Sequence, residues 1–178
     1  FDVKSPADGL IVVIGTFPFG PAPEGYTGTL EDYRVIIWHS CKVSSIFIHL
    51  GGLALEILEV TGQLEGGSRG WSASREGQSI PVKAGQVIGK VGAQGIDFSV
   101  HDTRVSLEGF RVPEHYQGEA WKIHTVDPFD YFEEPVRSQL LEKNPQKAAP
   151  YGGKVDYDIK GRLVGNWFLE GTVDYSGG

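Results

Sequence analysis

Short apolar runs, separated by glycine, proline and small polar residues, set the pattern of this chain. The first run is Leu10-Ile11-Val12-Val13-Ile14. It follows the turn-forming Ser5-Pro6-Ala7-Asp8-Gly9 and is β-branched and short, so it reads as a buried strand. A Gly- and Pro-rich loop over residues 15–30 comes next. Residues 33–39 and 43–50 form two further apolar runs, with Ser40-Cys41-Lys42 as the hairpin turn between them. In the second of these, Ser45, Phe47 and His49 alternate with Ile46, Ile48 and Leu50, which predicts two distinct strand faces. Residues 53–58 fit either a helical turn or a strand.

Residues 62–79 are polar and rich in Gly and Ser around Trp71, and read as an inserted loop. A turn at Lys83-Ala84-Gly85 leads into a short strand ending at Gly92. Residues 96–102 alternate again, with Asp97, Ser99 and His101 on one face. Residues 103–125 form a long irregular segment holding Phe110, His115, Tyr116 and Trp121. One helix is predicted behind Pro135, with Val136, Leu140 and Leu141 as its apolar stripe and Asn144-Pro145 as its stop. The tail, residues 150–178, suggests a β-hairpin around Asp158-Ile159-Lys160-Gly161-Arg162.

The predicted class is mainly β: a small antiparallel barrel or sandwich with one C-terminal helix and a β-hairpin tail. At 178 residues the chain holds one domain and an appendage. The division expected is a β domain over 1–132 and an extension over 133–178. No run is long and apolar enough for a transmembrane helix. The net charge of −7 and the dispersed lysines and arginines exclude a nucleic-acid role. Cys41 is the only cysteine, so neither an internal disulfide nor a cysteine metal cluster can form. The chain opens on Phe1 and has no methionine, which leads us to expect a processed or trimmed piece.

Four segments occur in the order found in LytM/lysostaphin-type zinc peptidases. Ser5-Pro6-Ala7-Asp8-Gly9 with its following strand resembles the family's opening motif. Val35-Ile36-Ile37-Trp38-His39 with Ile46-Phe47-Ile48-His49-Leu50 resembles its central hairpin. Val82-Lys83-Ala84-Gly85-Gln86-Val87-Ile88-Gly89-Lys90-Val91-Gly92 is similar to its "VkkGqvIGkvG" stretch. Val126-Asp127-Pro128-Phe129-Asp130-Tyr131-Phe132 resembles its closing segment. The resemblance spans roughly residues 3 to 132 and implies a barrel of the duplicated-hybrid-motif type.

The same resemblance implies a zinc site, and there the chain departs from the family. Zinc hydrolysis needs at least three protein ligands and an open position for water. The family's early His-x3-Asp would precede Ser5, where only residues 1–4 stand. Its paired His-x-His positions are taken by Gly95 and Asp97. His49 matches the family's non-ligand catalytic histidine and is the candidate catalytic residue. Asp97 is the candidate metal ligand, as a substitute oxygen donor. Asp97 and His101, four residues apart on one strand and about 13 Å along it, cannot share one ion. His39 reads as structural. Trp71, Tyr116 and Trp121 are candidate ligand-contacting aromatics, since large rings in loop contexts stack on sugars or partner surfaces or else pin the loops down.

The function expected is that of a non-catalytic peptidase-like domain, secreted or at the cell surface. It would act as a binding or structural module for cell-wall glycan, peptide or a protein partner. No cofactor is expected in that case. The alternative is a zinc metallohydrolase of the cell-wall endopeptidase type, with ligands supplied upstream or rearranged around His49 and Asp97. A second alternative is a biotinyl- or lipoyl-like carrier domain bearing its group on Lys83.

Overall fold

The computed structural model describes residues 1–17, 24, 31–62, 79–93 and 95–174. Trp71 and nearly all of the expected inserted loop lie outside the described residues. The chain forms two compact units, Phe1–Ser99 and Val100–Gly178. The irregular segment 103–125, grouped above with the β domain, therefore falls in the second unit.

Unit 1 is built from β1 (Asp2–Lys4), β2 (Gly9–Thr16), β3 (Tyr33–Trp38), β4 (Val43–Leu53), β5 (Ile80–Val82) and β6 (Val87–Val91), with helix α1 (Leu55–Thr61) after β4. The strands are hydrogen bonded in the order β1-β6-β4-β3-β2-β5, every neighbouring pair antiparallel. Both edge strands are three residues long, and one carries Pro81. Short edges and an edge proline leave little template for pairing with another chain. The expected antiparallel β class thus holds.

The core takes Ile11 and Ile14 from β2, Tyr33, Val35 and Ile37 from β3, Phe47, Leu50 and Leu53 from β4, and Ile88 from β6. β3 keeps strict alternation. β2 and β4 do not, because each carries a bulge. Val12 is extra between the pairs Ile11↔Ile37 and Val13↔Ile36. On β4, Ile48 and His49 together oppose the single residue Arg34 between the pairs Phe47↔Val35 and Leu50↔Tyr33. An extra residue reverses the inside-outside parity of everything beyond it. Ile11 and Ile14, three apart, therefore both face the core, and so do Phe47 and Leu50. The two faces predicted for residues 45–50 are correct only up to the bulge.

Residues 55–61 are helical, which settles the ambiguity left by their short apolar run. Leu53, Ile57 and Thr61 are buried at four-residue spacing while Leu55 and Val60 are exposed. A strand would have put Leu53, Leu55 and Ile57 on one face. The turn at Lys83 to Gln86 docks on the turn at Ser5 to Asp8. Ser5 N donates to Gln86 O and Gly85 N donates to Ser5 O, both at 2.9 Å. Ala84 N and Lys83 Nζ both donate to the Asp8 carboxylate, at 2.9 and 2.7 Å. Two of the four segments that resemble the zinc peptidases are thus adjacent in space.

Strand β7 (Asp97–Asp102) enters unit 2, where Val100 and His101 pair antiparallel with β8 (Thr125–Val126). Between them runs a 3-10 helical stretch, Pro113–His124, broken at Tyr116 and Glu119. A second 3-10 turn, Pro128–Tyr131, is capped by Asp127, whose carboxylate accepts from Phe129 N. Helix α2 (Val136–Lys143) starts behind Pro135 and ends at Asn144, as expected. Its expected apolar stripe is not a packing face: Val136 and Leu140 are exposed. Arg137 holds the helix instead, donating from Nε to Phe129 O at 3.0 Å.

The expected β-hairpin tail is corrected. No strand occurs among the described residues after Val126. Side-chain carboxylates take the backbone donors that a ladder would have used. Asp156 accepts from Gly109 N, Asp158 from Arg111 N and Asn166 N, and Asp174 from Gly118 N, at 2.7 to 3.0 Å. Aspartate side chains compete with regular backbone pairing in this way. Gly109 is required here, since a Cβ would stand 1.9 Å from Asp156 O.

Candidate functional site

The bulge in β4 positions the first candidate. It places His49 at φ +67, a left-handed conformation uncommon outside glycine. His49 Nδ1 lies 2.9 Å from Asp32 Oδ2. A carboxylate can only accept, so Nδ1 carries the proton and neutral His49 presents the lone pair of Nε2. The His49 side chain is about one-third exposed while Asp32 is buried. Asp32 Oδ1 is buried without a hydrogen-bond partner among the described residues. The Phe17 ring lies 6.1 Å from the imidazole, centroid to centroid. Such a pair can accept an N–H or O–H from a ligand, or take a proton from it.

His49 is a candidate from the sequence, and Asp32, which the structure sets beside it, is not. The signal was present but needed the register: Asp32 immediately precedes Tyr33, and Tyr33 pairs with Leu50, next to His49.

The implied zinc does not fit the described residues. Gly95, at the first of the paired-histidine positions, is a turn residue at φ +87 whose N–H bonds back to Gly92 O at 3.3 Å. An L side chain there would be strained. Asp97, the candidate metal ligand, is exposed at the start of β7. Among the described residues no three His, Cys, Asp or Glu side chains are grouped to hold a metal.

His39 is fully engaged. Its Nδ1 donates to Asp8 O at 2.9 Å, so Nε2 accepts from the buried Ser45 hydroxyl at 2.8 Å. Lys83 pairs with Asp8 on the surface. Tyr116 is in the interior of unit 2, its ring 4.7 Å from Phe110 and 5.3 Å from Phe168, and offers no face to a ligand. Trp121 is half-buried and packs on His101 at 4.8 Å.

Unit 2 holds two strongly perturbed groups beside each other in sequence. The buried Asp102 accepts from the Arg104 guanidinium, from Tyr131 Oη at 2.7 Å and from Arg104 N at 2.9 Å. These bonds hold its carboxyl well below the usual range. Burial, then the bond to Asp102, pushes the Tyr131 phenol up to about 12. His101 is only 2% exposed, and neither ring nitrogen has a hydrogen-bond partner among the described residues. Burial, with a smaller contribution from His124, lowers its pKa to about 4. The Asp102 cluster is self-satisfied and ties the end of β7 to the 3-10 turn that holds Tyr131. Comparison with protein-family models, with curated proteins and with solved structures gives no match.

Proposed function

We propose that the chain is a non-catalytic relative of the cell-wall zinc peptidases, acting outside the cytoplasm as a binding module for cell-wall peptide or glycan. The carrying observation is the Gly95 and Asp97 pair. Where the peptidases place the first of two paired histidines, this chain turns through a glycine at φ +87. At the second position, the one that binds zinc in that family, it has an exposed aspartate at the start of β7. The docked Ser5–Asp8 and Lys83–Gln86 turns support kinship in the scaffold.

The His49 face is the proposed contact surface. Asp32 orients the imidazole so that Nε2 meets a peptide N–H or a sugar hydroxyl. Co-sedimentation with purified peptidoglycan sacculi tests this. The chain is expected to pellet with sacculi, His49→Ala to reduce retention at least fivefold, and no new muropeptide to appear with added zinc. Retention that His49→Ala leaves unchanged contradicts the assigned face. Muropeptide release that a chelator abolishes contradicts the non-catalytic assignment.

One observation favours the second reading, a hydrolase with rearranged ligands: an aspartate-oriented, partly exposed histidine on a strained backbone is the arrangement of a general base. The muropeptide assay separates the two.

A further inference from the structure

Unit 2 carries a cavity of about 250 Å³ whose lining includes Arg111, Asp158, Ile159, Lys160, Arg162 and Trp167. Its walls follow from the way the tail is fixed. Asp158 is hydrogen bonded by neutral donors, and the Arg111 charge acts on it as well: Oδ2 accepts from Arg111 N at 2.9 Å, and Oδ1 accepts from Asn166 N and Nδ2 at 2.7 and 2.8 Å. Arg111, Lys160 and Arg162 make no salt bridge among the described residues. Three cations thus border the cavity against one carboxylate that is already hydrogen bonded, in a chain whose net charge is −7.

The apolar wall is equally unusual for a surface. Trp167 is 67% exposed, yet its ring is fixed, because Nε1 donates to Leu163 O at 2.9 Å. Ile159 and Val164, which line the cavity with it, and Leu163, whose carbonyl it bonds, are exposed. A fixed aromatic ring costs little conformational entropy on binding and is a common anchor in interfaces. Arginine forks match carboxylates.

We propose that this cavity is a peptide-docking site for a segment that sets an aspartate or glutamate beside an aliphatic or aromatic residue. The carboxylate lies against Arg111, Lys160 and Arg162, and the apolar side chain fills the space beside Ile159, Val164 and Trp167. The volume, below the roughly 300 to 1,000 Å³ of a drug-sized site, suits one side chain and its acidic neighbour. The exposed aliphatics favour a peptide over a sugar, which would use the Trp167 ring and leave them uncovered. A second copy docked face to face would set the same cations against one another. The site does not depend on the His49 face or on the reading of the chain as a peptidase relative.

The test is selection of random heptapeptides on the immobilised full chain, followed by titration of the enriched peptides. Acidic residues next to Leu, Ile or Phe are expected to be enriched. The peptides are expected to shift the Trp167 indole N–H resonance. Their affinity is expected to fall at least tenfold with the Arg111→Gln/Arg162→Gln pair, with Trp167→Ala, and when the peptide carboxylates are replaced by amides. Far-UV circular dichroism and the unaffected tryptophan resonances report that the variants are folded. Three results would overturn the proposal. One is selection without acidic enrichment. Another is binding indifferent to all of these variants. The third is association with anionic phosphatidylglycerol vesicles and with no peptide.

Discussion

His49 and His101 are two histidines with opposite demands on their surroundings. His49 sits in the left-handed region, at a cost on the order of 1–2 kcal/mol for a non-glycine residue. Its bond to Asp32 holds the ring in one tautomer. Ring nitrogen shifts in ¹⁵N NMR are expected to show the proton on Nδ1 in the native chain. Asp32→Asn, which can offer an N–H to Nδ1, is expected to move the proton to Nε2 in part of the population. Identical ring shifts in the two proteins would contradict the assigned pair.

His101 is buried with no partner for its ring, and its pKa is lowered from 6.5 to about 4. The unfolded chain therefore binds this proton more readily than the folded one. Stability is fully present above pH 6.5 and declines as the pH falls towards 4, by up to about 3 kcal/mol from this group. Denaturant unfolding at pH 7 and at pH 4.5 is expected to show that loss in the native chain. His101→Phe is expected to remove most of it. An equal loss in both would mean that other groups carry the pH dependence. His101 was visible in the sequence only as one polar position on an alternating strand, because its burial is made by Trp121 and β8, well apart from it in the chain.

At the scale of elements, alternation located the strands of unit 1 but not their parity. Leu10 to Ile14, the 33–39 and 43–50 runs and the 87–92 run all became strands. The bulges at Val12 and at Ile48-His49 were not legible, since a bulge is a property of pairing with β3 rather than of either run. That is why Phe47 and Leu50 share the core against the pattern. The tail failed for a related reason. Its alternating residues 157–164 resemble a strand, but Asp156, Asp158 and Asp174 bind backbone donors far away in the chain.

These carboxylates act as pins, and Asp156 is the most buried of them. Burial alone would raise its pKa, but the bonds from Lys154 and Gly109 outweigh it and the net shift is downward. Its contribution is therefore present above the ordinary aspartate range and is lost as the pH falls through its lowered folded value. Asp156→Asn is expected to cost about 1–2 kcal/mol. Hydrogen exchange at the Gly109 amide is expected to speed at least tenfold while β3 and β4 amides stay protected. Unchanged exchange at Gly109 would show that the tail is held by something else.

At the scale of the whole molecule, the mainly antiparallel β class of unit 1 was legible in its sequence. The ring stack of unit 2 was not, because Phe110, Tyr116 and Phe168 meet from three irregular segments with no periodicity to mark them. The candidate site was legible by half. A resemblance pointed to His49, and only pairing brought Asp32 to it. Gly95 reads in the sequence as a missing histidine and in the fold as a left-handed turn. No helix among the described residues is long and apolar enough to cross a membrane. The measurement that bears most directly on the non-catalytic assignment is zinc content of the full chain, by mass spectrometry after equilibration with zinc and removal of the excess. Well under one zinc per chain is expected, with no difference between the native chain and His49→Ala. One tightly held zinc per chain, lost on replacing His49 or Asp97, would contradict it.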